Sequence, residues 1–314
     1  MKYIDLHCDT LTASKDKNLP LDRGNFQAGI DKLEQSGCAA QCFAIFTDGE
    51  NASKDFEKYL SFYSGEMQRL GTRVTPINRF SDLKRCLDGG GLGVILTVEN
   101  LGFIGDDVTR LDSLYKSGVR MASPVWNFEN ALAYPNLKFK DGLPQFSARE
   151  ERGLKNLGRQ AVERLDELGI IVDLSHLSDG GAEEILSGRK TPVVASHSNA
   201  ASVCPVCRNL TDGLIKKTAA CGGVIGVNFC VDFLGGGGTA ESVLKHIRRI
   251  INVGGEDVIA FGSDFDGIPQ NPYLKDCTAM PGLLNFLNMH GLSSATLEKL
   301  AYKNFSRVFK EVCG

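Results

Sequence analysis

Five residues of metal-ligating type stand where apolar runs of the sequence stop. YIDLHCDT carries His7 and Asp9, GVILTVEN ends on Glu99, DLSHLS holds His176, and ASHSNA holds His197. His7 and Asp9 are two apart, so in an extended segment both side chains leave the same face, as two ligands of one metal must. Glu99 closes an apolar run, where a buried carboxylate without a partner costs several kcal/mol, and a cation would relieve that cost.

Three imidazoles and two carboxylates suit zinc, which takes nitrogen and oxygen ligands and keeps positions open in catalytic sites. Five ligands exceed the usual set of one catalytic ion. Two zinc ions sharing Glu99 would use them all, with His7 and Asp9 on one ion, His176 and His197 on the other, and a hydroxide between them. Asp264, in IAFGSDFDG, ends a further apolar run and is the expected proton shuttle, with Asp266 read as a loop or supporting residue. Of the five histidines, His246 and His290 fall on predicted helices, and surface or capping roles are expected for them. Cys204-x-x-Cys207 has no second pair downstream and is a weak metal signal.

These residues need a frame that brings strand ends together. Short apolar runs recur at Tyr3–Leu6, Ala39–Phe46, Gly93–Val98, Arg120–Val125, Ile170–Leu174, Pro192–Ala195, Val224–Phe229 and Val258–Phe261, with helical patterns between them. Eight such units predict an α/β fold, a (β/α)8 TIM-like barrel with room for distortion, whose site lies where strands end and helices begin. Residues 1–314 are read as one hydrolase domain. Long segments at 127–149 and 232–239, the second with four successive glycines, are expected to shape the mouth.

A net charge of −3 without long Lys/Arg blocks excludes an electrostatic footprint for nucleic acid or an anionic membrane. The opening MKYIDLHCDT lacks a secretory pattern and no run has the length of a membrane span, so a cytoplasmic protein with reduced cysteines is expected. The partner would be a small-molecule substrate, and a homodimer is compatible with these features.

DLHCDT, TVEN, DLSHLS, SHSNA with CRNL, and GSDFDGI together resemble the signature segments of the membrane (renal) dipeptidase family of the amidohydrolase superfamily. The likeness runs from the first strand to KNFSRVF, and the separation of 21 positions from His176 to His197 and of 11 from His197 to Arg208 is as in that family. The resemblance implies a two-zinc centre bridged by Glu99, Arg208 as the clamp for the substrate carboxylate, and Asp264 as acid and base. The chain lacks the export signal and lipid-anchor tail of animal members and looks like a soluble bacterial-type one. Trp126 stands where animal members carry a substrate-holding histidine, and Asn127 beside it is the candidate to supply the missing hydrogen bond. The expected activity is zinc-dependent hydrolysis of dipeptides. Another small amide, such as a β-lactam or an N-acyl amino acid, and a non-catalytic metal-binding role are the alternatives.

Overall fold

The computed structural model describes residues 1–314. Eleven strands run β1 Tyr3–Cys8, β2 Cys38–Phe46, β3 Val74–Pro76, β4 Leu92–Glu99, β5 Val119–Ala122, β6 Lys138–Lys140, β7 Leu143–Gln145, β8 Ile171–Val172, β9 Val194–Ala195, β10 Val224–Val227 and β11 Ile259–Phe261. The main sheet is parallel throughout, in the order β8-β5-β4-β2-β1-β11-β10-β9. A parallel bridge between Asp173 and Val194 joins its two ends, and the sheet becomes an eight-stranded TIM-like barrel.

β2 and β4 are buried along their length, as strands covered on both faces must be, and their near-continuous apolar runs made them legible. The helix Ala52–Leu70 buries Ala52, Phe56, Tyr59, Tyr63, Glu66 and Leu70, a step of four and three residues that lays one stripe on the sheet. Ala40, Ile95, Met121, Val224 and Ala260, from strands all around the ring, meet in one cluster, so they fill the barrel interior. Phe305 and Phe309 of the last helix, Asn304–Cys313, join that cluster and close one end.

The ring is irregular. β3 pairs with the first residues of β4 while β5 pairs with its later ones, so a ninth strand shares one edge. β3 is not among the predicted strands because its three residues end at Pro76. β8 and β9 are only two residues long, shorter than predicted, because side chains replace part of their ladder: Asp173 Oδ1 accepts from the amides of Ser175 and Ser196, each at 2.9 Å. The segment 127–149, expected to be a long loop, contains the antiparallel hairpin β6–β7. The segment 232–239 begins inside a short helix, Val231–Leu234.

Tight packing reaches the back of the site. A Cβ at Gly226 or Gly262 would overlap the carbonyl oxygen of Ser196, the residue before His197. Gly262→Ala is therefore expected to cost about 1–3 kcal/mol, because the obstacle is backbone and cannot rotate away. Thermal denaturation checks this, and an unchanged midpoint would contradict the close approach.

Candidate metal centre and substrate pocket

His7 is the next-to-last residue of β1, Glu99 the last of β4, and His176, His197 and Asp264 follow β8, β9 and β11. All project at the C-terminal end of the barrel strands, the end at which TIM barrels carry their active sites. His7 Nε2 lies 3.3 Å from Asp9 Oδ2 and 3.6 Å from Glu99 Oε2. The other Glu99 oxygen, Oε1, lies 2.9 Å from His176 Nε2 and 3.6 Å from His197 Nε2. The five residues thus converge, although Asp9 does so from a turn at a helix start (φ −99°, ψ 14°) and not from the extended strand that the spacing argument assumed.

Ring orientation follows from hydrogen bonding on the far nitrogen of each imidazole. His176 Nδ1 donates to Asn127 Oδ1 at 2.8 Å, which leaves Nε2 as a lone pair. Ser196 Oγ donates to Asp173 Oδ2, so at 2.8 Å it accepts from His197 Nδ1, and His197 Nε2 is again a lone pair. These two Nε2 atoms face each other at 2.9 Å with Glu99 Oε1 beside them. Such an arrangement of acceptors is repulsive unless cationic charge enters it; Arg208 Nη2 meets only His176 Nε2, at 2.9 Å, and imidazole nitrogen with carboxylate oxygen is the donor set of zinc-like ions. Among groups close enough to hold an ion are His7 with Asp9 and Glu99, Glu99 with His176 and His197, and also His7 with His197 and Asp264.

Beside this cup lies a cavity of about 330 Å³, lined among others by Trp126, Asn127, Arg208, Phe146, Phe233 and Ile268. Arg208 is buried, donates from Nη2 to His176 Nε2 at 2.9 Å, and leaves Nη1 with no partner. Trp126 packs edge-on against Phe46, with ring centroids 4.6 Å apart. Asn127 reaches the cavity too, but its oxygen is committed to His176, so the hydrogen bond expected of it toward substrate can come only from its amide nitrogen.

The match to the membrane dipeptidase family, peptidase family M19, runs over residues 1–313. The chain belongs to that family. An uncharacterized protein in the pqqA 5′ region of Klebsiella pneumoniae is 33% identical over 238 residues, spanning 74% of this chain and 86% of that protein. An uncharacterized dipeptidase of Schizosaccharomyces pombe is 29% identical, covering 99% of this chain and 80% of its own. The crystal structure of dipeptidase AC, a metallopeptidase of family M19, superposes with a TM-score of 0.91 at 25% identity, over 100% of this chain and 99% of that one. The protein is accordingly a metallo-dipeptidase, a hydrolase of peptide bonds, and none of its helices is long and apolar enough to cross a membrane.

In this dipeptidase the buried charges of the cup shift one another. Burial drives the Glu99 carboxyl well above its ordinary range, against the pull of His7 and with the push of Asp9 and Asp264. Burial raises Asp264 to about 6, opposed by His7 and aided by Asp9. His7 runs the other way: burial favours its neutral form, yet Glu99, Asp9 and Asp264 together lift it to about 10. Burial, with Arg208 and His7 nearby, holds His176 and His197 neutral. The common cause is an excess of buried carboxylate and lone-pair acceptors, which divalent cations would balance.

Three non-glycine residues around the cup, Asn100, His176 and Asp264, have φ of 74°, 71° and 66°, a left-handed backbone that costs energy and re-aims side chains as strands end. Asp266 shares that conformation at 65°, but its carboxylate accepts from Thr10 Oγ1 and the amides of Gln27 and Ala28, so it ties a loop as a supporting residue. The surface or capping role expected for His246 is incorrect. It is buried, accepts from the Ala200 amide at 3.1 Å, and donates to the Leu234 carbonyl at 3.2 Å, because the inner face of helix Ala240–Gly254 carries it. His290 caps the helix Met280–Met289 and stacks on Phe286. Cys204 and Cys207 are buried against the backbone carbonyls of Asp232 and Gln145, away from the cup.

Proposed function

We propose that the cup holds two divalent ions, zinc by donor type, with Glu99 shared, His7 and Asp9 serving one ion and His176 and His197 the other. The observation that carries this reading is the division of one carboxylate, whose Oε2 faces His7 while Oε1 faces His176 and His197. When bound, such ions polarise a substrate carbonyl and bring the pKa of a coordinated water toward about 7.

The chain's own groups supply the rest. Arg208 holds the C-terminal carboxylate of a dipeptide through a charge-assisted fork. Asp264, oriented by Asn228 Nδ2 at 2.9 Å, accepts a proton and returns it to the leaving amine. Trp126 forms a wall of the pocket, and Asn127 keeps His176 aimed at the cup. We read the whole chain as one catalytic domain, since residues from both ends build the same barrel. Cytoplasmic residence is part of this reading, supported by ten cysteines that are all unpaired.

Gently purified protein is expected to contain close to two zinc ions per chain, and prolonged chelation should abolish dipeptide hydrolysis. Elemental analysis with an activity assay on L-Ala dipeptides tests both. A reproducible single ion would remove Glu99 as a shared ligand, and full activity in the chelated protein would sink the metal-dependent mechanism.

A further inference from the structure

The dipeptidase reading leaves open which dipeptides the pocket takes, and the surroundings of Arg208 restrict them. The Arg208 guanidinium sits 5.6 Å from the centre of the Phe233 ring. Phe146 meets Phe233 edge-on at 6.1 Å, and its carbonyl oxygen accepts from the Cys207 amide, next to Arg208. Both rings line the cavity that also contains Glu99 and His176. A carboxylate anchored on Arg208 has its α-carbon one bond away, so the side chain on that carbon must lie close to the groups flanking the guanidinium. Toward the cup those groups are the metal-ligating residues, which the scissile carbonyl must approach. Away from it they are Phe146 and Phe233.

Arg208 is the only cation lining this cavity. Arg149, from the same part of the fold, is committed to Asp179 through two contacts at 2.7 and 2.9 Å. Asp232, by contrast, does line the cavity, immediately before Phe233. A second carboxylate on the substrate would therefore exchange water for aromatic carbon, with a like charge nearby and no cation to meet it.

We propose that the enzyme selects dipeptides whose C-terminal residue has an apolar side chain, with Phe146 and Phe233 forming the selecting wall and Asp232 turning acidic residues away. The proposal rests on the dipeptidase reading with Arg208 as the carboxylate anchor. An apolar side chain buries against the two rings, and a basic one falls between the apolar and acidic cases because its charge can approach Asp232.

The test is kcat/KM of the zinc-loaded enzyme for Ala-Leu, Ala-Phe, Ala-Lys and Ala-Asp, each with both configurations at the second residue. The wild type should prefer Leu or Phe over Asp by roughly 10- to 200-fold, the range that pocket contacts of this kind supply. Phe146→Ala should shrink the Leu-to-Asp ratio, Phe146→Leu should restore most of it, and Asp232→Lys should raise the Asp substrate relative to Leu. These ratios between substrates on one protein do not move when a variant is merely less stable. Turnover of all four peptides at similar efficiency, or a preference for Asp, overturns the selectivity while leaving the dipeptidase reading intact. Failure to cleave any of them would overturn that reading and the selectivity with it.

Discussion

Asp264→Asn is expected to leave the metal content intact and to lower kcat by roughly 10²- to 10⁴-fold, the usual contribution of a general acid and base. The substitution keeps the shape of the side chain, and asparagine is among the few residues that accept the left-handed φ of 66° found here, so the backbone has no reason to move. What changes is the ability to carry a proton. In the metal-free cup burial raises the Asp264 carboxyl above its ordinary range, opposed by His7 and aided by Asp9, so this buried group at the cup is a candidate to take a proton and return it to an amine. The competing role is geometric: Asp264 Oδ1 lies 3.8 Å from His7 Nε2, and with His7 and His197 it could hold an ion itself. Metal analysis of the variant separates the two. Loss of metal would make Asp264 a ligand, an unchanged rate would remove it from the chemistry, and a lowered kcat with the metal content unchanged supports the proton shuttle.

The convergence of His7, Asp9, Glu99, His176 and His197 was legible in the sequence for a physical reason. A polar residue that abruptly ends an apolar run must sit at a strand end, and in a barrel all such ends on one side meet. The same signal is present at Asp5 in YIDLHC and Asp173 in IIVDLSH. In the structure Asp5 accepts from the amide and hydroxyl of Ser263, and Asp173 does the same for Ser196, which in turn holds His197. Asp5 and Asp173 therefore brace the residues before Asp264 and His197, and the sequence does not show this because their partners are distant in the chain. Strand existence was readable where runs were long and apolar, as in β2 and β4. It was not readable in β3, whose three residues carry no period, or in the hairpin β6–β7, whose residues are mostly exposed. The burial of His246 is hidden in the sequence for a related reason. Basic neighbours mark the outer face of its helix, while the buried positions Val243, Leu244, Ile247 and Ile250 mark the face that it shares.

Arg208→Ala is expected to lower kcat/KM for a free dipeptide by roughly 30- to several-thousand-fold, because truncating one partner of a buried charge pair costs about 2–5 kcal/mol. The structure supplies the motive: a buried guanidinium with Nη1 unpartnered, no contacting carboxylate of its own, and an opening onto the cavity beside Glu99 and His176. Burial lowers its pKa from the ordinary arginine value, while the Asp264 and Glu99 charges work against that shift. A substrate carboxylate would complete its hydrogen bonding, and such an anchor would fix substrate length. With the free carboxylate on Arg208, the carbonyl one residue back is the one set over the cup, so a dipeptide presents its only peptide bond there. A tripeptide anchored in the same way must find room for a further residue beyond the cup. Amidating the dipeptide leaves the guanidinium buried without a counter-charge, which makes the amide a poor substrate even though its scissile bond is unchanged. The decisive comparison sets a dipeptide, its C-terminal amide and the matching tripeptide against wild type and Arg208→Ala. Wild type should favour the free dipeptide strongly, and the variant should lose most of that preference together with activity while keeping its metal. Equal handling of the amide or the tripeptide by wild type would remove Arg208 as the clamp and point to an amidase of broader reach.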